Sequence, residues 1–410
     1  MSAPDIPSST QVCIIGGGPA GVIAAYLFAL RGVSVVLLEG KPDFNREFRG
    51  DTMHASSLEI IDQLGLADEI LQQANSKAKE LSFTLPEGDM ILAEFSAMNS
   101  KFPYVAIIPQ EKFLNYLVEK AKALSNFKIL MGSPVRELKQ ADEQIVGVKY
   151  SYTGEDHELD ATLVIGADGR GSTTRRLAKF DLGKTSPPMD VVWFKLPIPK
   201  GLELKEAVNG RIGSGSMIIS INRKEYLQVG YVIMKGGYKS LREKGIEHFH
   251  KVISTLSPEL NDVVKEIKDW SDMAILSVAT GRVKQWYKDG LLLIGDAAHI
   301  MSPVGGVGIN YAIQDAVAAV NILADPIKNN VMSTSDLAAV QKRRESAVVF
   351  IQNFQSFVQN RIIADALKSN KDFEPPLPMK IVSKIPFIRK RIARFLAYGL
   401  RHEKVEGLDT

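Results

Sequence analysis

The chain has 410 residues, of which 45% are apolar and 24% charged, and its formal net charge is only +3. These proportions exclude a disordered, collagen-like or coiled-coil chain, and the small net charge provides no general attraction to nucleic acid. The single cysteine, Cys13, excludes an intrachain disulfide and a cysteine-based zinc site.

The chain begins with a pattern typical of a strand, a helix and a second strand. Residues 12–16 and 34–40 are short apolar runs, and residues 21–32 form an alanine-rich stretch that ends at a glycine. Short apolar runs are typical of strands covered on both faces, and this order predicts a βαβ unit with a parallel sheet.

Two uncharged runs approach the length of a membrane span, at residues 12–30 and 297–314. Glycines and a proline interrupt both runs, and the segment before the first one lacks the basic region of a signal peptide. A glycine turn followed by a buried helix explains the first run better than a span. We therefore expect a soluble, cytoplasmic protein.

The middle of the chain differs from its two ends. Residues 161–169 and 290–298 are apolar runs that contain glycine and aspartate, which predicts further strands of the parallel sheet. Residues 181–280 instead contain runs of mixed polarity, typical of antiparallel strands, with a helix predicted near residues 240–255.

The predicted fold class is therefore α/β, with a Rossmann-like domain, an inserted lobe and a helical tail. The Rossmann-like domain with its parallel sheet is assigned to residues 1–75, 101–180 and 281–335. A substrate-binding lobe with a mixed or antiparallel sheet is assigned to residues 76–100 and 181–280, and a helical C-terminal region to residues 336–410.

The first predicted turn carries a dinucleotide-binding pattern. Three glycines, at positions 16, 18 and 21, follow a strand and open a helix, and an acid follows at position 39, at the end of the second strand. In this context the glycines allow a tight turn, close approach of a pyrophosphate and close helix–strand packing, while the acid accepts hydrogen bonds from a ribose. The alternative is a glycine-rich turn without a ligand. The predicted site comprises Gly16, Gly18, Pro19, Ala20, Gly21 and Glu39.

Three later motifs occur in an order that is specific for one superfamily. The segment DGRGSTTR begins at Asp168, GDAAH begins at Gly295, and PVGGVGIN begins at Pro303. With these motifs the sequence resembles the single-component flavin-dependent aromatic hydroxylases, the para-hydroxybenzoate hydroxylase-like monooxygenases. The motifs are specific for FAD and for this superfamily, but not for a substrate.

The resemblance implies non-covalent FAD, with NAD(P)H as co-substrate. Asp296 would bind a ribityl hydroxyl, and Asp168 belongs to a motif linked to both FAD and NAD(P)H. The implied cofactor-binding residues of the later segments are Arg49, Gln110, Asp168, Asp296, Gly306, Gly308, Ile309 and Asn310. Pro303, Gly305 and Gly306 would lie beside the isoalloxazine ring.

Residues 308–323 support the last of these assignments. They have an apolar side at helical spacing, so a helix is expected to begin directly after the glycine turn. The N-terminus of a helix suits the negative charge of a reduced flavin. The alternative is that the glycines form only a flexible connection.

Several other polar residues are weaker candidates. No acid that pairs with His299 is evident nearby in the sequence, so His299 is expected to have a structural or packing role, while His54 is expected either near the flavin or at the surface. In the family that the sequence resembles, a basic residue near this position often faces the flavin or the substrate, but a solvated hairpin is the favoured expectation for Arg223 and Lys224. His248 and His250 do not have the spacing of metal ligands on a helix, and we predict no metal.

The resemblance implies a monooxygenase. FAD reduced by NAD(P)H would react with dioxygen at its C4a position, and the resulting hydroperoxide would hydroxylate an aromatic or other electron-rich small molecule in a site that excludes water. This chemistry needs no protein nucleophile, so no catalytic residue is assigned. The expected partners are the substrate, dioxygen and NAD(P)H but no nucleic acid, and the expected state is a monomer or homodimer.

Three alternatives share the flavin site: a dehydrogenase or reductase, a halogenase, and a non-catalytic redox sensor. Halogenases of this family carry a Trp-x-Trp signature, which Trp193, Trp270 and Trp286 do not form.

The C-terminal tail is basic and amphipathic. Residues 379–402 contain seven Lys or Arg and no acid, and Pro386 is expected to start a helix that runs to about residue 399. Such a segment can lie on an anionic membrane. Packing of its apolar side against the enzyme is the favoured expectation, and membrane association is the alternative.

Overall fold

The structure, a computed structural model, describes residues 6–45, 51–85, 88–213, 215–369 and 373–407. Arg49, one of the expected cofactor-binding residues, lies outside these ranges. The strands are β1 (Ser9–Ile15), β2 (Val35–Glu39), β3 (Thr52–Met53), β4 (Ser76–Ala78), β5 (Glu80–Leu85), β6 (Gly88–Glu94), β7 (Val105–Ile107), β8 (Phe127–Met131), β9 (Val135–Ala141), β10 (Gln144–Tyr152), β11 (Glu155–Gly166), β12 (Leu182–Thr185), β13 (Met189–Pro197), β14 (Ala207–Gly213), β15 (Ser216–Asn222), β16 (Tyr226–Met234), β17 (Met273–Leu276), β18 (Thr280–Val283), β19 (Tyr287–Lys288), β20 (Leu291–Leu293) and β21 (His299–Ile300).

The helices alternate with strands in the first part of the chain and dominate its last part. They are α1 (Pro19–Leu30), α2 (Ala55–Gln63), α3 (Ala67–Leu71), α4 (Gln110–Lys122), α5 (Thr173–Leu177), α6 (Tyr238–Glu243), α7 (Ile246–Leu256), α8 (Gly308–Lys328), α9 (Thr334–Val358), α10 (Ala364–Lys368), α11 (Leu377–Lys384) and α12 (Pro386–Tyr398). A π-helical turn, Gln359–Ile363, joins α9 to α10.

A parallel sheet forms the centre of the molecule, as the sequence predicts. Its strand order is β19-β20-β11-β1-β2-β8, with β9 and β10 attached through β11. β1 pairs in parallel with both β2 and β11, and β8 and β20 extend the parallel part on either side. The carboxyl ends of these strands therefore meet at one edge, where open α/β sheets bind their ligands.

Helix α1 is buried because it is apolar on every side. Pro19 occupies its first turn, where a missing N–H costs nothing, and the segment after it is buried through Ala29. The helix ends before Gly32, whose φ of +77° is the left-handed conformation that glycine adopts freely. Helix α1 packs against α8, which places the two helices side by side on the sheet.

A second sheet of seven strands has the order β17-β13-β16-β15-β14-β5-β6. Its pairings are antiparallel except for that of β14 with β5, so the sheet is mixed, as the sequence predicts. Helix α7 covers one face through Phe249 and Ile253, which are buried.

Two elements differ from their predicted form. The single helix expected at residues 240–255 is two helices, α6 and α7, because Gly245 adopts a φ of +86° between them. The apolar run 290–298 gives only a short strand, β20, since its backbone turns at Gly295 into a single 3-10 turn.

The C-terminal part is helical, as predicted, and α12 begins at the expected Pro386. The stretch Val304–Lys328 has the length and composition of a membrane span, but 78% of its most apolar window is buried inside the protein. That burial is the property of a core helix.

Candidate functional site

The glycine turn between β1 and α1 is closed so tightly that it has no room for side chains. Gly16 has a φ of +104°, and a Cβ there would lie 2.6 Å from the carbonyl oxygen of Ala167. A Cβ on Gly21 would lie 1.9 Å from the Gly16 carbonyl oxygen. The close packing expected of Gly21 is thus confirmed. No side chain caps α1, so its first N–H groups face the turn.

Glu39 is attached to this turn. Its Oε2 accepts a hydrogen bond of 2.7 Å from the Gly17 N–H, and its Oε1 accepts one of 2.9 Å from the Lys41 N–H. The residue is buried at the carboxyl end of β2. Glu39 therefore fixes the position of the turn, and its expected contact with a ribose would come from the same carboxylate.

The GDAAH segment packs directly against the glycine turn. A Cβ on Gly295 would lie 3.3 Å from the Cβ atoms of Ala20 and Ala312, so the segment fits between α1 and α8. The Asp296 side chain keeps 29% of its surface exposed, and its Oδ2 lies 3.2 Å from Arg170 Nε. This carboxylate is therefore held at the sheet edge and is open to a ligand.

The DGRGSTTR segment supports Asp296 from the other side. Arg175 donates hydrogen bonds to the carbonyl oxygens of Ala297, at 2.8 Å, and of Arg170, at 2.7 Å. Asp168 accepts hydrogen bonds from the Ser172 hydroxyl and from Thr174, and so caps the start of α5. These hydrogen bonds join the two motifs, and the Asp168 carboxylate is bonded within its own segment.

The turn before α8 is held in part by Thr52 and Ser57, which no motif in the sequence marks. Asn310 Oδ1 accepts hydrogen bonds from the His54 N–H, at 2.9 Å, and from the Ser57 hydroxyl, at 2.7 Å. The Thr52 hydroxyl donates to the carbonyl oxygen of Gly306 at 2.8 Å. The short segment from β3 to α2 thereby orients the turn. Only proximity in the fold reveals this, because 254 residues separate Thr52 from Gly306.

Helix α8 begins as expected, directly after this turn. Gly305 and Gly306 have φ values of +80° and +62°, and no side chain caps the helix. Its first N–H groups are therefore available to a negatively charged group, in keeping with the role predicted for Gly308 and Ile309. Pro303 precedes the turn and is half-buried.

His54 is buried, and the expectation of a surface role is wrong. Its side chain lies beside the Gly305 and Gly306 backbone, and neither imidazole nitrogen has a hydrogen-bond partner in the part of the chain that the structure describes. Burial lowers the pKa of His54 to about 4, although the neighbouring backbone opposes that shift. His54 is therefore neutral at pH 7, with an unpaired ring directed at the predicted flavin turn.

This burial predicts a pH-dependent stability. The pKa of His54 is 6.5 in the unfolded chain and about 4 when folded, so the unfolded chain binds its proton first as the pH falls. Above pH 6.5 the difference in pKa costs no stability. As the pH falls from 6.5 to 4, protonation of the unfolded chain lowers the free energy of unfolding by up to about 3 kcal/mol. Urea unfolding at pH 7.5 and pH 5 should show a smaller loss for His54→Leu than for the wild type.

His248→Leu serves as the control, because His248 lies on the partly exposed helix α7. The free energy of unfolding that His248→Leu loses between the two pH values should match the loss of the wild type. Equal losses for the wild type and His54→Leu would contradict the burial of a neutral His54.

Arg223 is also buried, so the expectation of a solvated hairpin is wrong for this residue. Its Nη2 lies 2.6 Å from Asp51 Oδ2, and its Nε donates to Gln228 Oε1 at 2.8 Å. Burial raises the pKa of Asp51, while Arg223 and a hydrogen bond from the Gln110 backbone oppose the rise. The pair joins the β15–β16 hairpin to the start of α4, where Gln110 lies. Lys224, in contrast, is exposed as expected.

His299 has an acidic partner that lies distant in sequence. Its Nε2 is 2.6 Å from Asp315 Oδ2, and Asp315 Oδ1 accepts a hydrogen bond of 2.9 Å from Arg344 Nε. Although burial alone would raise it, the pKa of Asp315 is lowered by His299 and Arg344. Asp315 Oδ2 also accepts the Gly295 N–H at 3.1 Å. His299 thus belongs to a buried ionic cluster behind the Asp296 turn, which agrees with the expected structural role.

The described ranges contain no group of three or more His, Cys, Asp or Glu side chains arranged to hold a metal ion. The polar groups at the sheet edge instead suit an organic cofactor with phosphates and hydroxyls. The glycine turn and uncapped α1 fit a pyrophosphate, Asp296 is open to a hydroxyl, and the uncapped α8 fits a ring that carries negative charge. The residues present therefore fit FAD.

Comparison with known proteins agrees with this assignment. The family model described as "FAD binding domain" matches residues 9–353. The chain is 30% identical over 397 residues to 6-methylpretetramide 4-monooxygenase of Streptomyces rimosus, covering 95% of this chain and 92% of that protein. It is 24% identical to digeranylgeranylglycerophospholipid reductase of Methanothrix thermoacetophila, covering 82% of this chain and 83% of that one.

The fold is also similar to a solved structure. p-Nitrophenol 4-monooxygenase PnpA from Pseudomonas putida superposes with a TM-score of 0.76 at 20% identity, covering 97% of this chain and 100% of that chain.

Proposed function

The chain belongs to the FAD binding domain family, with the para-hydroxybenzoate hydroxylase-like monooxygenases, and we propose that it hydroxylates an aromatic or other electron-rich small molecule at the expense of NAD(P)H. The observation that carries the proposal is the convergence of four sequence segments at one sheet edge. Residues 16–21 pack against residues 295–298, residues 52–57 form hydrogen bonds with residues 303–310, and helix α8 contacts both pairs.

We propose that the two largest sheets serve different parts of the reaction, one binding the cofactor and the other the substrate. Residues 1–75, 101–180 and 281–335 bind FAD, residues 76–100 and 181–280 shape the substrate pocket, and residues 336–410 form the helical C-terminal region. In support of this division, Trp193 and Ile219 on the second sheet and Val304 beside the flavin turn are half-buried and pack against one apolar cluster. An apolar surface next to the flavin turn suits an aromatic ring and excludes water.

The proposed reaction consumes one substrate, one dioxygen, one NAD(P)H and one proton, and it yields the hydroxylated product, water and NAD(P)⁺. When bound, FAD supplies the transfer of two electrons to dioxygen and of one oxygen atom to the substrate carbon, by the C4a-hydroperoxide route expected from the sequence. The residues of this chain position the cofactor and keep water away, and none is assigned as nucleophile or base.

The substrate we propose is a fused aromatic ring system that carries phenolic groups. A relative that matches along nearly the whole chain is named 6-methylpretetramide 4-monooxygenase, which motivates this class. We place the enzyme in the cytoplasm, where NAD(P)H is available, as a monomer or homodimer.

A reductase of the same fold is the second candidate. The similarity to digeranylgeranylglycerophospholipid reductase over most of both chains favours it. In that case the reduced flavin would deliver two electrons and one proton to a carbon–carbon double bond, a second proton would come from water, and dioxygen would not be consumed.

A screen of polycyclic phenols with NADH and NADPH tests the proposal. Under air, a substrate should accelerate oxidation of one nicotinamide, with one dioxygen consumed for each product formed. Nicotinamide oxidation that proceeds equally without dioxygen and adds two hydrogens to an acceptor would identify the reductase. A flavin that neither nicotinamide reduces, with or without any compound, would identify a sensor.

Asp296→Ala is expected to weaken FAD binding by roughly tenfold to a hundredfold, because a hydrogen bond to a charged group contributes about 1.5–3 kcal/mol. Excess FAD should restore part of the activity. Fluorescence titration of the apoprotein with FAD measures the effect. Asp160→Ala is the matched control, since its carboxylate is exposed and pairs with Lys139 at the surface. Normal FAD affinity combined with a changed pH profile of activity would instead give Asp296 a role in proton transfer.

A further inference from the structure

The outer side of α11 and α12 carries an exposed apolar patch. Among the described residues, ten large apolar side chains are exposed, and four of these lie between positions 377 and 387. Their exposed fractions are 69% for Leu377, 44% for Ile381, 41% for Ile385 and 64% for Phe387. Single exposed apolar side chains are ordinary, but a contiguous group marks an interaction surface.

Five cations surround this patch without carboxylate partners among the described residues. They are Lys380, Lys384, Lys390, Arg391 and Arg394, and all are exposed. The Arg391 guanidinium lies over the Phe387 ring at 5.6 Å, so charge and apolar surface are interleaved. No acid occurs between Glu374 and Glu403. The four apolar side chains and five cations together are named the tail face.

The inner side of the same helices is already occupied by the enzyme. Met379, Ala393, Leu396 and Ala397 are buried, and Tyr398 donates hydrogen bonds to Glu59 and Ser100. Arg389 pairs with Glu94 at the end of β6. The packing expected from the sequence is therefore present on this side. The tail face is the part of the amphipathic segment that remains exposed after this packing.

We propose that the tail face docks the enzyme onto an anionic membrane surface. Apolar side chains that project between cations match the boundary between headgroups and acyl chains, where the apolar groups insert and the cations meet lipid phosphates. The tail face lies on the exposed side of α11 and α12, where it can contact the broad, deformable surface of a lipid bilayer. A symmetric contact between two copies would instead place the same five cations opposite one another.

The position of the tail face relates it to the flavin site. Leu396, on the inner side of α12, lies 3.4 Å from where a Cβ on Gly305 would stand. Docking through α11 and α12 would therefore hold the flavin turn close to the membrane. The docking itself does not depend on the proposed reaction, since it follows from the tail face alone.

Co-sedimentation of the full-length holoenzyme with vesicles tests this proposal. We expect binding to vesicles of phosphatidylcholine with phosphatidylglycerol at low salt, release at high salt, and little binding to phosphatidylcholine alone. Ile381→Ser with Phe387→Ser should abolish binding, and each of Lys384→Gln and Arg391→Gln should weaken the partition coefficient by about fivefold. All these side chains are exposed, so FAD content should not change.

Matched controls are available on other surfaces. Val331→Ser with Ile275→Ser removes exposed apolar side chains elsewhere, and Lys179→Gln with Lys244→Gln removes exposed charges; both pairs should bind like the wild type. Equal recovery of the wild type in the supernatant with both vesicle types would overturn the proposal. So would a dimer in light scattering that the tail-face variants convert to a monomer, because the face would then join two copies.

Discussion

Replacing Arg344 by methionine is expected to lower the free energy of unfolding by about 3–5 kcal/mol, because removal of one partner leaves uncompensated buried charge. Arg344 and Asp315 are both 0% exposed, and Arg344 Nη1 also lies 3.4 Å from Glu403 Oε1. Methionine approximates the volume of the arginine stem but offers no proton to either carboxylate. Urea unfolding at pH 7.5 measures the loss.

Two further variants separate lost charge pairing from altered packing. Lys342→Met introduces the same side chain at an exposed position of the same helix and should leave stability within about 0.5 kcal/mol of the wild type. Adding Asp315→Asn to Arg344→Met should recover part of the loss, since it removes one of the unpaired charges. An Arg344→Met variant as stable as the wild type would contradict the buried ionic cluster.

Replacing Gly18 by valine is expected to yield folded protein that binds FAD much more weakly. Gly18 has φ −78° and ψ −179°, extended backbone that any residue adopts, so the fold should tolerate the side chain. The new methyl groups would occupy the place where a pyrophosphate approaches the turn. Overpacking in protein cores costs about 1–3 kcal/mol, and a clash of this size between the valine and the pyrophosphate would lower the FAD affinity roughly tenfold to a hundredfold.

The ratio of flavin absorbance to protein measures this loss, and circular dichroism verifies the fold. Gly183→Ala, in β12, is the control, because its Cβ would meet only an ordinary contact of 3.4 Å and should leave the flavin content unchanged. Gly21→Ala should behave differently and destabilise the fold itself, as its Cβ would stand 1.9 Å from a backbone oxygen. Full flavin content in Gly18→Val would place the pyrophosphate elsewhere.

The local features of the site were predictable because their causes are local. The spacing of Gly16, Gly18 and Gly21 and the uncharged helix after them depend on backbone sterics and burial within a few residues. The start of α12 at Pro386 likewise follows from the fixed φ of proline. The mixed sheet was visible in the polarity of its strands.

The supports of the site were not predictable, because the partners are far apart along the chain. His299 and Asp315 are 16 residues apart, and the His54 N–H donates to Asn310 across 256 residues. Arg223 pairs with Asp51 from a distant part of the chain. A polar residue in a polar stretch suggests the surface, so Arg223 was placed there wrongly, and the surface was kept as one of two alternatives for His54. Tertiary packing buries both side chains.

The most direct test of the central claim is the fate of labelled dioxygen. The holoenzyme, reduced nicotinamide and a substrate found by rate acceleration would react under ¹⁸O₂, with the product analysed by mass spectrometry. A monooxygenase predicts one ¹⁸O atom in the hydroxylated product and the other in water. A product without ¹⁸O that has gained two hydrogens, or nicotinamide oxidation that yields only hydrogen peroxide with every substrate, would contradict the account.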